Sequence, residues 1–275
     1  MSLGKLIRTL QSELAFLKEA KDAFYLVSRR LRRQPSDSDF RALKFIPDSL
    51  PGCYLDIGAN QGQSIEAIRL FKPQAQIHSF EANPGLARKL QQRYAGSRNI
   101  RVLPYGLGDE CSTNTLYVPV YKGFVYDGLA SFDRNSAAGW LGPHTLYWFS
   151  ASKLELREVP CSTERLDDQG LDPLFIKIDV EGYEYQVALG GLKTIERCEP
   201  VLMVEDIALY PKLAALLQQL GYRQYQFDDA GFYRAEPGGE VTNTLLLTPR
   251  RAATVVLSPR HRALGDDILK STIAQ

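Results

Sequence analysis

The chain has 275 residues, 44% hydrophobic and 24% charged, with a net charge of +1. That length allows one large domain or two small ones, the composition is that of a globular protein, and the near-neutral balance gives no general field for nucleic acid. Cys53, Cys111, Cys161 and Cys198 stand far apart with no C-x-x-C pair, which excludes a sequence-readable zinc or redox motif.

Residues 1–34 carry eight Lys/Arg against three acids. Within them Leu3, Leu6, Ile7, Leu10, Leu14, Leu17, Phe24, Val27 and Leu31 recur at steps of three and four, which predicts an amphipathic helix over 3–31. Such a basic helix suits packing on the domain or on a second subunit in a homodimer, peripheral contact with an anionic membrane, or a solvated arm. No apolar run approaches the length of a spanning helix and no signal-peptide core is visible, so a cytoplasmic location is expected. The turn-forming segment Gln34–Asp39 marks a boundary.

From residue 52 the period changes. Cys53–Ile57, Gln76–Phe80 and Ile100–Leu103 read as strands, separated by helices over Ser64–Phe71 and, capped by Asn83-Pro84, as far as Tyr94. Alternation at this spacing predicts βαβ units and a doubly wound, mostly parallel sheet. Residues 111–165 lose the rhythm. Strands at Thr115–Val118 and Lys153–Val159 flank an aromatic stretch, Tyr121 to Phe149, which reads as an insertion or lid. The rhythm returns with a buried strand at Leu174–Val180, a helix from Tyr183, a strand at Val201–Glu205 and a helix over Pro211–Leu220. An antiparallel C-terminal hairpin, Tyr222–Phe227 with Phe232–Ala235, follows, and Thr244–Leu247 is expected at the sheet edge. The boundaries are thus 1–34 for the helical extension, 35–249 for the α/β domain with 111–165 inserted, and 250–275 for a basic tail.

Asp56-Ile57-Gly58-Ala59-Asn60-Gln61-Gly62 occupies a strand-to-helix turn. Glycine there permits close approach to a ligand, and the following helix offers free N–H groups. Glu81 ends the second predicted strand about 20 residues on, where an acid bonds ribose hydroxyls. Gly106-Leu107-Gly108-Asp109 follows the third, and a carboxylate there can accept from an adenine amino group. NAD would call for G-x-G-x-x-G. Asn60 replaces the middle glycine and would obstruct a pyrophosphate, so the pattern favours S-adenosylmethionine.

The segments LDIGANQG, SFEANP, GLGD and FIKIDVEGYE, in this order over roughly residues 50–210, resemble the FkbM-type methyltransferases. Ala82 stands where many members have proline. The resemblance implies a class I methyltransferase (Rossmann-like) fold and O-methylation, typically of a sugar or polyketide hydroxyl. By the family pattern Asp56, Gly58, Asn60 and Gly62 hold the methionine part, Glu81 the ribose and Asp109 the adenine region.

Asp179 and Glu181, at the end of the strand Leu174–Val180, are candidates for taking the acceptor's hydroxyl proton. Asp179 with Glu205 or Asp206 offers the alternative of Mg²⁺, and Lys177 with Glu181 that of a structural pair capping the next helix. His144, in the aromatic insertion, is a third catalytic candidate; His78 reads as structural. The expected activity is methyl transfer from S-adenosylmethionine to a hydroxyl of a small-molecule or saccharide acceptor, glycoconjugate or related secondary metabolite. The alternative is a cofactor-binding scaffold protein without turnover.

Overall fold

The computed structural model describes residues 3–13, 35, 37–205, 207–235 and 243–260. It is an α/β fold built on a mixed eight-stranded sheet. In chain order the elements are α1 (Leu3–Glu13), β1 (Cys53–Ile57), α2 (Gln63–Phe71), β2 (Ile77–Phe80), α3 (Pro84–Tyr94) and β3 (Ile100–Leu103). Then come β4 (Gly106–Leu107), β5 (Ser112–Tyr121), β6 (Phe124–Val125), α4 (Arg134–Gly139), β7 (Leu154–Glu164), β8 (Pro173–Ile178), α5 (Glu184–Gly190) and α6 (Leu192–Cys198). The last are β9 (Val201–Glu205), α7 (Pro211–Gln219), β10 (Arg223–Phe227), β11 (Phe232–Arg234), β12 (Asn243–Leu247) and α8 (Pro249–Ala252).

The large sheet runs β11-β10-β12-β9-β8-β1-β2-β3. Strands β3, β2, β1, β8 and β9 are mutually parallel. The chain winds outward from β1 to β3, then returns to place β8 on the other side of β1. This reversal is a topological switch point, where the carboxyl ends of an open α/β sheet leave a crevice. Alternate side chains of each strand enter different cores. Tyr54, Phe175 and Met203 pack with Ile65, Ile68 and Leu90 of α2 and α3. Leu55, Ile176 and Leu202 pack with Val187, Ile195 and Leu213 on the opposite face.

Two sequence expectations change here. Thr244–Leu247 is not an edge: β12 inserts antiparallel between β9 and β10, and all five of its residues are buried. A short apolar run reads the same at an edge or in a sheet's interior; here non-local pairing decides. The helix expected over 3–31 is seen as α1, and residues 14–31 lie outside the described residues. The segment 250–260, expected as a tail, packs on the body, with Ala252 buried and the Phe232 N–H donating to the Val256 carbonyl at 2.9 Å.

The insertion, together with β4, forms a second sheet, β4-β7-β5-β6, dominated by the long antiparallel pair β5 and β7. Residues 126–149 fold over this sheet, and α1 docks on them. Among the described residues no helix is long and apolar enough to cross a membrane.

Candidate active site

The turn after β1 carries left-handed backbone at alternate positions: Gly58, Asn60 and Gly62, with φ of 89°, 47° and 85°. Asparagine tolerates that region better than most residues with a side chain. At Gly58 nothing larger fits, since a Cβ would lie 1.8 Å from the Asp179 carbonyl oxygen. The Asp179 N–H donates to the Ile57 carbonyl at 3.0 Å, so the turns after β1 and β8 stand backbone to backbone.

A cavity of about 200 Å³ opens at this crossing. It is lined by Gly58, Asn60 and Glu81, by Gly106 and Leu107, and by Asp179, Glu181 and Glu205. The insertion closes over it through Asp127, Gly128, Ala130 and Phe132. A second cavity, of about 160 Å³, runs from the same turn to the start of α2, with Ser64, Lys177 and Asp37 in its wall. Gly58, Asn60, Asp179 and Glu205 belong to both.

Glu81 is buried, its two carboxylate oxygens accepting from the Asn60 N–H at 2.6 Å and the Asn83 N–H at 2.8 Å. Burial outweighs those bonds and pushes its carboxyl to about 7. Asn60 Oδ1 is buried without a hydrogen-bond partner where the two cavities meet. A buried acceptor left this way costs about 1–3 kcal/mol, which a bound donor would recover.

Asp179, Glu181 and Glu205 offer carboxylate oxygens within 4.8 Å of one another, close enough for one cation. Lys177 Nζ donates to Asp179 at 2.7 Å. Desolvation works to raise Asp179, but the Lys177 charge and a hydrogen bond from Glu205 hold it below the ordinary carboxylate range. Burial, then the charges of Asp179 and Glu205, push Glu181 to about 8. Burial and the shared proton with Asp179 lift Glu205 to about 7. Near neutral pH the cluster therefore holds one firmly ionised carboxylate and two poised to gain or lose a proton.

The structure separates other expected site residues from the cavities. Asp56 lines neither one. The strand register sets it abreast of Ser79 and Lys177 on the α2 side of the sheet, fully buried, where it accepts from Ser79 Oγ at 2.8 Å. Desolvation raises it and the Lys177 charge opposes that rise. Asp109 is exposed beyond Gly108, whose carbonyl stands so close to Gly190 that a Cβ there would lie 1.7 Å away. His144 is exposed in the turn between Gly142 and Thr145 and also lines neither cavity. Gly62 has its φ of 85° but serves packing: a Cβ there would come 2.9 Å from Leu90 Cδ2. His78 is half-buried within β2. Asp206 lies outside the described residues.

Lys177 pairs with Asp179, not Glu181, and Glu184 binds the turn before α5 by accepting from the Val180 and Gly182 N–H groups at 3.2 and 3.0 Å. Sequence reasoning missed Glu184, and it missed Lys177 as the buried cation between Asp56 and Asp179. It also missed Ser131, whose Oγ donates to the Glu181 carbonyl at 3.0 Å. No local signal points to the second, because the register between β1 and β8 is what sets Lys177 beside Asp56.

A family model, the Methyltransferase FkbM domain, matches residues 56–226, more than half the chain. The chain belongs to the FkbM methyltransferase family. A search of curated proteins finds no match. Among solved structures, the methyltransferase FkbM from Methylobacillus flagellatus KT is 15% identical over 71% of this chain and 43% of that one, with a TM-score of 0.42. Precorrin-6y C5,15-methyltransferase from Geobacter metallireducens GS-15 is 16% identical over 76% of this chain and 83% of that one, with a TM-score of 0.36. The chain thus spans less than half the length of the first, and at these TM-scores neither likeness bears on activity.

Proposed function

We propose that this FkbM-family chain binds S-adenosylmethionine across the two cavities and methylates a hydroxyl of a saccharide, glycoconjugate or related secondary metabolite. The observation that carries the reading is the junction of the cavities. A carboxylate suited to ribose, Glu81, stands on one side of the Gly58–Asn60 turn, and the Asp179 cluster stands where both cavities meet. The class I fold that the family implies is supported by the parallel run from β3 to β9, with the crevice at its switch point.

Each Glu81 oxygen already accepts one backbone bond and keeps a lone pair for a ribose hydroxyl. Asn60 lines both cavities and its unpartnered Oδ1 is an acceptor for the ammonium group, while Gly106 and Leu107 line the first cavity and are assigned to adenine. The sulfonium, when bound, supplies an electrophilic methyl group, and its transfer to an alcohol releases one proton. Asp179, ionised beside Lys177, orients an acceptor hydroxyl by accepting its hydrogen bond. The proton leaves through Asp179 and passes to the ionised form of Glu181, whose carboxyl near 8 holds it more tightly than Asp179 can. Phe132 and Ala130 of the insertion line the same cavity as the cluster.

Calorimetry tests the first step. S-adenosylmethionine should bind and NAD should not, and Glu81→Ala should weaken binding tenfold or more, since bonds to a charged group are worth about 1.5–3 kcal/mol each. No binding heat with S-adenosylmethionine, or unchanged affinity in Glu81→Ala, overturns the reading. The spacing of Asp179, Glu181 and Glu205 also favours a second route, in which Mg²⁺ acidifies the alcohol. Turnover insensitive to EDTA supports Glu181 as the base. Loss on EDTA with recovery on Mg²⁺ transfers that task to the ion.

A further inference from the structure

Helix α1 sits on the body with the wrong side outward for ordinary core packing. Its buried side is polar. Thr9 Oγ1 accepts from the Tyr147 N–H at 2.9 Å, Ser12 Oγ and the Tyr126 hydroxyl share a hydrogen bond of 2.6 Å, and Lys5 Nζ donates to the Pro143 carbonyl at 2.5 Å. Positions 5, 9 and 12 form one face of a helix. Ile7 and Leu10, three apart on the opposite face, are 45% and 51% exposed. In sequence Leu3, Leu14 and Leu17 continue their spacing. Because the polar face is already committed to the insertion, the apolar face cannot also reach the core of this chain.

The segment on which α1 docks is exposed in the same way. Trp148 is 84% exposed and Trp140 44%. The Trp148 ring stands 5.9 Å from that of Tyr147, which in turn lies 4.5 Å beneath Lys5 Nζ. Four of the six exposed large apolar side chains among the described residues thus belong to α1 and its docking segment; Leu209 and Val256 are the others. Exposed apolar surface concentrated in this way marks a binding face.

We propose that this face, Ile7 and Leu10 with Trp148 at its side, docks on an anionic lipid surface. Charge complementarity selects the occupant. Residues 1–34 carry eight basic residues against three acidic, and Arg8 is exposed on α1 itself. A second copy would bring two such positive segments together, whereas anionic headgroups neutralise them, each nearby Lys or Arg adding to the attraction. An indole at a headgroup boundary has its apolar ring buried and its N–H wet, which suits the exposed Trp148.

The test uses the full chain and vesicles, either of phosphatidylcholine alone or of equal parts phosphatidylcholine and phosphatidylglycerol. The wild type should cosediment with the anionic vesicles, much less with the neutral ones, and be released by high salt. Ile7→Ser/Leu10→Ser, and separately Trp148→Ala, should each weaken association about tenfold or more. Affinity for S-adenosylmethionine should stay as it was. Tryptophan emission should shift to the blue on mixing in the wild type and in Trp140→Phe, but not in Trp148→Phe. This readout holds even where the double variant loses α1. No association of the wild type with anionic vesicles, or wild-type association by the double variant, overturns the proposal. So does a dimer in light scattering that the double variant dissociates while vesicles are not bound, which would give the face to a second copy.

Discussion

Gly58 and Asp179 depend on each other through one contact. The glycine lets the turn after β1 meet the Asp179 backbone, beside the carboxylate that Lys177 holds. Gly58→Ala would need a Cβ 1.8 Å from the Asp179 oxygen at a φ of 89°. The expected cost is about 3 kcal/mol or more, a fall in Tm on the order of 6–12 °C for a domain of this size. Thermal unfolding checks this, and a shift within about 2 °C would show that the turn relaxes freely. Asp179→Asn keeps the shape and removes the charge. Turnover should fall about 10²–10⁴-fold while affinity for S-adenosylmethionine changes little, since the acid is assigned to the acceptor. A scaffold protein would show no turnover to lose. Gly58, Asn60, Glu81 and Asp179 were legible in the sequence because each lies at a strand end, where local pattern alone gives position. Asp56 was not. Its neighbours Ser79 and Lys177 come from register across three strands, so an acid beside the glycines went to a buried pair instead of the cavity wall.

At the scale of elements, the βαβ rhythm could be read from spacing, because each strand and helix carries its own period. The insertion could not. Its order comes from the long pairing of β5 with β7 and from α1, both non-local. From sequence its aromatic stretch reads as an insertion or lid. The structure brings Phe132 over the cavity and leaves Trp140 and Trp148 outside. Asp109, just before the insertion, and His144, within it, are both exposed. The bond between Ser12 and Tyr126 ties α1 to the insertion. Tyr126→Phe removes it, at about 1 kcal/mol for a bond of this kind. Hydrogen exchange within residues 3–13 should then rise about fivefold, with β1 and β8 unaffected. Equal protection in the variant would mean that α1 is held by its other contacts.

For the molecule as a whole, buried acids at the crevice set how stability follows pH. Burial raises Glu81 to about 7, Glu205 to about 7 and Glu181 to about 8, and raises Asp56 and Glu184 as well. The folded chain holds these protons after the unfolded chain has released its own in the ordinary carboxylate range. Between those two ranges the native state binds more protons than the unfolded one, so the stability of the cofactor-free protein falls as pH rises. Each such group contributes at most about 1.4 kcal/mol per pH unit, and less where solvent reaches it. Asp179, held low, acts in the opposite sense, but only as pH drops through and below the ordinary carboxylate range. Urea unfolding from pH 5.5 to 8.5 should therefore show declining stability, and Glu181→Gln should flatten the upper part of the decline, near pH 8. A curve flat or rising across that range, in a protein that remains two-state, would mean that the cluster is already ionised and neutralised by something other than protons.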